Sequence, residues 1–141
     1  LQAVRVGGDT VVRMIDEFPV FAVAACFASG VTEVHDAEEL RYKETDRISV
    51  LCGELKVLGV QVAERRDGFT IKGGTLTGGA CDAHGDHRLA MSLALAGLAA
   101  PAPVTVHHAE ILNESFPGFV GQLGELGVSV RAGSKESSES K

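Results

Sequence analysis

The chain has 141 residues, a net charge of −6, 45% hydrophobic and 23% charged residues, seventeen glycines and no tryptophan. That composition is ordinary for a globular domain with an aliphatic core of Ala, Val and Leu, and its length allows one domain or part of a larger protein. The negative balance argues against general nucleic-acid binding, which needs a basic surface, and no apolar run approaches a membrane span.

Taken in order, Ala3 to Val6 alternates as a strand and Gly7-Gly8-Asp9 turns the chain. Val11 to Ile15 reads as a second short extended piece. Asp16-Glu17-Phe18-Pro19 then announces a helix through Phe27, with Pro19 in its first turn and Gly30 as its C′ residue. Val31 to His35 is a predicted strand, and Ala37 to Tyr42 a loop. The spacing of Ile48, Leu51, Leu55 and Leu58 predicts a helix with one apolar face, capped by Thr45 and stopped by Gly59. Val60 to Arg65 and Phe69 to Lys72 form a hairpin about Asp67-Gly68. Leu76 to Asp82 is extended. Gly85-Asp86-His87-Arg88 opens a helix over Leu89 to Leu98, Val104 to His107 is a strand, and Ser115-Phe116-Pro117 opens a last helix ending near Gly127. Val128 to Arg131 reads as a final strand. The polar residues 133–141 read as a disordered tail, leaving 1–132 as the folded part.

The order repeats. Val34-His35-Asp36-Ala37-Glu38-Glu39-Leu40 matches Val106-His107-His108-Ala109-Glu110-Ile111-Leu112, and Leu58-Gly59-Val60 matches Leu126-Gly127-Val128. A period of roughly seventy residues is too long for a solenoid and suggests one duplicated α/β unit. The two copies would place charged helix starts at equivalent positions, Asp86-His87-Arg88 matching the start beside Asp16, around a shared site.

The run Glu39-Leu40-Arg41-Tyr42-Lys43-Glu44-Thr45-Asp46-Arg47 concentrates charge where a helix begins. Read alone, it is either a solvated, capped helix start or an anion site in which Lys43 and Arg47 add to the free amides of the first turn. Glu44 and Asp46 would then pair with the bases or move protons. Asp16 is either a first-turn acid or a carboxylate base. Asp86 is a helix cap, and Arg88 is either a surface group or the partner of Arg47 in an anion clamp. His35, His84, His107 and His108 lack metal-ligand spacing. The glycine pairs lack a phosphate-loop pattern. Cys26, Cys52 and Cys81 form no CxxC pair and no zinc spacing, and Cys26 and Cys52 lie inside apolar helical patterns, which points to buried free thiols and a reducing, cytoplasmic setting.

Four motifs in order carry a resemblance: Met14-Ile15-Asp16-Glu17-Phe18-Pro19, Leu40-Arg41-Tyr42-Lys43-Glu44-Thr45-Asp46-Arg47, Gly85-Asp86-His87-Arg88-Leu89-Ala90-Met91 and Ser115-Phe116-Pro117-Gly118-Phe119. Together they resemble the C-terminal part of the 5-enolpyruvylshikimate-3-phosphate synthases, the 3-phosphoshikimate 1-carboxyvinyltransferases of the shikimate pathway. The resemblance implies an α/β (α+β) lobe of repeated βαβαββ units, about two of three present here. It also implies a partner, the N-terminal lobe, facing it across a cleft. The implied substrates are shikimate 3-phosphate and phosphoenolpyruvate, with no metal or organic cofactor and no nucleic-acid or membrane partner.

By the same resemblance Asp16 handles the 5-hydroxyl proton and Glu44 exchanges protons with the enolpyruvyl group. Lys43 lies near the shikimate hydroxyl, Arg47 and Arg88 hold phosphoenolpyruvate, and His87 stands beside them. Glu39 sits at a position that contacts the shikimate phosphate in members carrying Asn there. Glu114 departs from the members that have a phosphoenolpyruvate-binding Lys just before Ser115-Phe116-Pro117. Two rivals stand: a UDP-N-acetylglucosamine enolpyruvyl transferase, and a non-catalytic lobe that binds anions or a partner. A lobe without its opposing wall is expected to have little or no turnover.

Overall fold

The computed structural model describes residues 1–133; residues 134–141, nearly all of the expected tail, lie outside the described residues. The chain opens with β1 (Arg5–Val6), α1 (Asp9–Met14), α2 (Phe18–Ala25) and β2 (Val31–Val34). A 3-10 turn over Glu38–Tyr42 leads into α3 (Arg47–Val57), followed by the hairpin of β3 (Gln61–Arg65) and β4 (Gly68–Lys72). Next come β5 (Gly79–Asp82), α4 (His87–Ala96) and β6 (Val104–His107). A short turn at Ala109–Ile111 precedes α5 (Leu112–Ser115) and α6 (Phe119–Glu125).

Two sheets result. β1 runs parallel to β2, and the hairpin adds β4 antiparallel to β2, giving the order β1-β2-β4-β3. β5 and β6 form a separate parallel pair, with Cys81 opposite Val106. The main core joins Phe18, Ala22 and Val23 of α2 to Val34, Phe69 and Ile71 of the first sheet. It continues into Ile48, Leu51, Cys52 and Leu55 of α3 and Leu58 just beyond its end. The apolar spacing read from the sequence is therefore the buried face of α3. Phe18 meets Phe69 edge to face, with ring centres 6.4 Å apart. A smaller cluster of Ala83, Ala90, Leu112, Phe119 and Leu123 seats α5 and α6 on α4.

The repeat is visible in the backbone. Asp36 and His108 both take a left-handed conformation (φ 60° and 55°), and Gly59 and Gly127 likewise have positive φ (82° and 89°). The first copy is a complete βαβαββ unit. Among the described residues the second copy lacks the closing hairpin.

Five local expectations are corrected. Val11 to Met14 is helical rather than extended: Gly8 reverses the chain (φ 58°) and donates its amide to Asp36 at 2.9 Å, which turns the segment away from the sheet. The expected loop before Lys43 is a 3-10 turn. The cap of α3 is Asp46, accepting the Ser49 amide at 3.0 Å, which leaves Thr45 outside. The hairpin turns at Arg66-Asp67 rather than Asp67-Gly68, since Arg65 pairs with Gly68. Val128 to Arg131 is not a strand, because no ladder partner lies beside it among the described residues. Cys26 and Cys52 are free and buried, as expected, and so is Cys81; burial pushes the Cys26 and Cys81 thiols up to about 11 and the Cys52 thiol to about 12. Among the described residues no helix is long and apolar enough to cross a membrane.

Candidate active site

Two helix mouths meet at one arginine. α3 begins at Arg47 because Asp46 caps it, and its first turn points Arg47 inward while Ile48 enters the core. The Arg47 side chain is only 2% exposed. α4 begins after Asp86, which is fully buried and accepts the amides of Arg88 at 3.0 Å and Leu89 at 3.3 Å. The same carboxylate takes Arg47 Nε at 2.7 Å and Nη2 at 3.3 Å, and Thr45 Oγ1 at 3.3 Å. Asp86 therefore ties the start of one helix to the start of the other.

Two further acids close on the guanidinium. Glu44 Oε2 lies 2.6 Å from Nη2, and Asp16 Oδ1 lies 3.4 Å from Nη1. Asp16 stands two residues before α2, which packs along α4, so it also comes within 3.7 Å of Arg88 Nη2. Its carboxylate sits between two guanidiniums while remaining 46% exposed. The contacts to Asp16 are the long ones in the cluster and those to Asp86 and Glu44 the short ones, so Asp16 is the group most easily displaced.

Burial alone would raise the Asp86 carboxyl, but the hydrogen bonds and charge of Arg47, with the two α4 amides, hold it below the ordinary range. Burial likewise disfavours charge on Arg47, and Asp86, Glu44 and Asp16 outweigh it and keep the guanidinium protonated. Among the described residues every buried side-chain nitrogen and oxygen has a partner.

Asp16, Glu44, Arg47 and Arg88 thus come together. Lys43 and Glu39 do not join them by a bond: they pair with each other at 3.5 Å. His87 is the half-buried first residue of α4 and makes no hydrogen bond to the cluster. Glu114 lies exposed on α5. The match read from the repeat, Asp86-His87-Arg88 against the helix start beside Asp16, follows the order of the elements. In the repeat the mouth of α4 corresponds to the start of α2, beside Asp16, and not to the mouth of α3. Arg47 and Arg88 meet because α2, α3 and α4 pack together, not because they occupy matching positions.

Sequence reasoning missed the part played by Asp86 beyond a cap, and gave Arg41 none. No local signal marks either, since Asp86 meets an arginine 39 positions away and Arg41 reaches 23 to 25 positions ahead. Three of the four histidines that lack metal-ligand spacing lie beside acids. His84 lies 2.7 Å from Glu54, His108 2.8 Å from Asp82, and His35 3.1 Å from Glu33.

Known proteins resemble this chain along nearly its whole length. The sequence model of EPSP synthase (3-phosphoshikimate 1-carboxyvinyltransferase) matches residues 2–123. A 3-phosphoshikimate 1-carboxyvinyltransferase of Synechococcus elongatus is 50% identical over 127 residues, covering 89% of this chain and 28% of the relative. One from Syntrophotalea carbinolica is 52% identical over 120 residues, covering 84% and 28%. An EPSP synthase structure from Acinetobacter baumannii superposes with a TM-score of 0.88 at 34% identity, over 95% of this chain and 31% of that one. The enolpyruvyl transferase NikO of Streptomyces tendae superposes with a TM-score of 0.75 at 25% identity, over 93% and 29%. The chain spans less than a third of the length of each.

Proposed function

This chain belongs to the EPSP synthase family, and on that premise we propose that it forms one wall of the cleft in a two-lobed 3-phosphoshikimate 1-carboxyvinyltransferase. The folded part, 1–132, is the partial C-terminal lobe, and the opposing N-terminal lobe is its necessary partner. The reaction joins shikimate 3-phosphate to phosphoenolpyruvate. The 5-hydroxyl oxygen bonds to the enol carbon, its proton passes to a base, and the methylene carbon gains a proton to become a methyl group. The tetrahedral intermediate then loses inorganic phosphate and one methyl proton, which restores the double bond.

The observation that carries the reading is the meeting of Asp16, Glu44, Arg47 and Arg88 at one point. Between the two guanidiniums sits a carboxylate, that of Asp16. A phosphoenolpyruvate carboxylate has the same charge and geometry and would take that place, bridging Arg47 and Arg88. The displaced Asp16 is then a free base for the 5-hydroxyl proton, and Glu44, half-exposed beside Arg47, is the proton carrier for the methylene carbon. Fixed cations in a site that closes against water stabilise the charge that builds on the leaving phosphate. Lys43, paired with Glu39 across the same segment, is released toward the shikimate hydroxyl when the lobes close. His87 flanks Arg88, and Glu39, at the position where members with Asn contact the shikimate phosphate, here pairs with Lys43. Three buried free thiols suit a reducing, cytoplasmic setting.

The test is phosphate release by the full-length polypeptide that carries this lobe. Release is expected to require both shikimate 3-phosphate and phosphoenolpyruvate, and Asp16→Ala and Glu44→Gln are each expected to lower kcat by about a hundredfold or more. Wild-type protein that releases no phosphate, or an Asp16→Ala variant at full rate, would overturn the assignment.

A further inference from the structure

Arg41 lies outside the cluster around Arg47, yet it is among the most heavily bonded side chains of the molecule. Its guanidinium spends donors on four different groups. Nε donates to the Arg66 carbonyl at 2.8 Å, and Nη2 to the Arg65 carbonyl at 2.6 Å. Nη1 reaches Glu64 at 2.9 Å and both Asp46 oxygens at 2.9 and 3.2 Å. Three of these four acceptors belong to the last residues of β3 and the hairpin turn, and the fourth is the cap of α3.

The position of Arg41 in the chain gives this arrangement its meaning. Tyr42 ends the 3-10 turn and Arg47 begins α3, so Lys43, Glu44 and Thr45 form a short irregular loop between them. That loop carries two of the proposed site residues, and Thr45 also bonds Asp86. Arg41 stands at its entrance and Asp46 at its exit, and the ion pair between them closes the loop. The hairpin turn that receives Arg41 is itself fixed to the chain before the loop: the Ala37 amide donates to the Asp67 carbonyl at 2.7 Å and the Asp36 amide to the Asp67 carboxylate at 2.9 Å. Both ends of the loop are therefore referred to one hydrogen-bonded platform.

We propose that Arg41 is a positioning residue for the reaction: it braces the loop 43–45 on the tip of the β3–β4 hairpin and so fixes where Lys43 and Glu44 stand relative to Arg47. The proposal rests on the functional reading above. A planar fork with five N–H donors serves four acceptors in fixed directions, which the single ammonium of lysine does not. Loss of the brace removes no member of the cluster but leaves the loop held by the Glu44–Arg47 and Thr45–Asp86 bonds without the hairpin behind it, and a misplacement near 1 Å at a reacting group costs on the order of a hundredfold in rate.

Two measurements test it. In the full-length polypeptide, Arg41→Gln and Arg41→Lys are both expected to lower kcat by about tenfold or more while KM for phosphoenolpyruvate moves less than about threefold, because Arg47 and Arg88 are untouched. Asp46→Asn keeps a helix-capping side chain but weakens the pair with Arg41; it is expected to lower kcat in the same direction by a smaller factor, and serves where Arg41→Gln does not fold. A kcat within twofold of wild type in Arg41→Gln overturns the proposal. So does full rescue by Arg41→Lys, which would mean that a positive charge suffices.

The second measurement is independent of turnover. Tyr42 is the one tyrosine and there is no tryptophan, so the ultraviolet emission of the 141-residue chain, taken at concentrations where it sediments as a monomer, reports on the residue that leads into this loop. Its anisotropy is expected to fall in Arg41→Gln and Asp46→Asn, and unchanged anisotropy in both overturns the brace. If the wild-type polypeptide shows no turnover, the functional reading has failed, and the Tyr42 signal still decides whether the brace exists.

Discussion

A guanidinium buried to 2% exposure forfeits its hydration, and Arg47 is tolerated there because three carboxylates replace the lost water. The fully buried member is Asp86, so removing its charge strands a cation inside the protein. Asp86→Asn is expected to lower unfolding free energy by about 3–5 kcal/mol, read by denaturant titration, even though asparagine keeps the α4 cap. A loss under about 1 kcal/mol would show that Glu44 and Asp16 alone suffice as counter-ions. The sign of the pH dependence follows from the same residue. Its carboxyl titrates lower in the folded state than in the unfolded one, so its contribution is fully present above the ordinary carboxylate range and disappears as pH falls through the depressed folded value. Wild-type stability is expected to decline on acidification below about pH 4, and Asp86→Asn to show a shallower decline.

The elements are positioned by close backbone contacts as much as by their apolar faces. Gly68 begins β4 where a Cβ would stand 1.9 Å from the carbonyl oxygen of Val34, so β4 reaches its register against β2 only because that position has no side chain. Gly53, in the middle of α3, faces open space: a Cβ there would meet nothing within 4 Å. Its missing side chain costs the helix backbone entropy and gains no close packing in return. Gly68→Ala is expected to destabilise by about 1–3 kcal/mol or more, and Gly53→Ala to stabilise by about 0.5–1 kcal/mol. Thermal unfolding of the two variants beside wild type checks both signs. The hairpin is also the platform that Arg41 grips, so Gly68→Ala should disturb the loop carrying Lys43 and Glu44 as well as the sheet.

At the scale of the whole molecule, the second repeat is the unfinished one. Among the described residues β6 pairs with β5 on one side only, whereas its counterpart β2 has β4 on the other. Large apolar side chains are exposed at Val12, Val57 and Leu126. The isolated 141-residue chain is expected to self-associate with rising concentration in sedimentation velocity, and Thr105→Lys on the β6 edge to reduce it; a monomer at every concentration would contradict this. On the proposed function, the isolated chain is also expected to release phosphate no faster than the uncatalysed background, because one wall of a cleft neither encloses a substrate nor excludes water.

Much of this was determined by the sequence itself. The buried face of α3, the Gly59 stop, the buried thiols and the four ordered motifs that mark the EPSP synthase family are properties of short stretches, set by periodicity and by which residues stand side by side. The tertiary structure decided whatever depends on a distant partner. It made Val11 to Met14 helical and left Val128 to Arg131 without a ladder, since a strand exists only where another strand receives it. It moved the cap of α3 to Asp46, gave Asp86 to Arg47 and spread Arg41 over the hairpin tip. It also brought Asp16 to Arg47 and Arg88 by packing α2 on α4. An ion pair is a matter of a few ångströms in space, and nothing in the order of residues along the chain encodes which acid will fold back to which base.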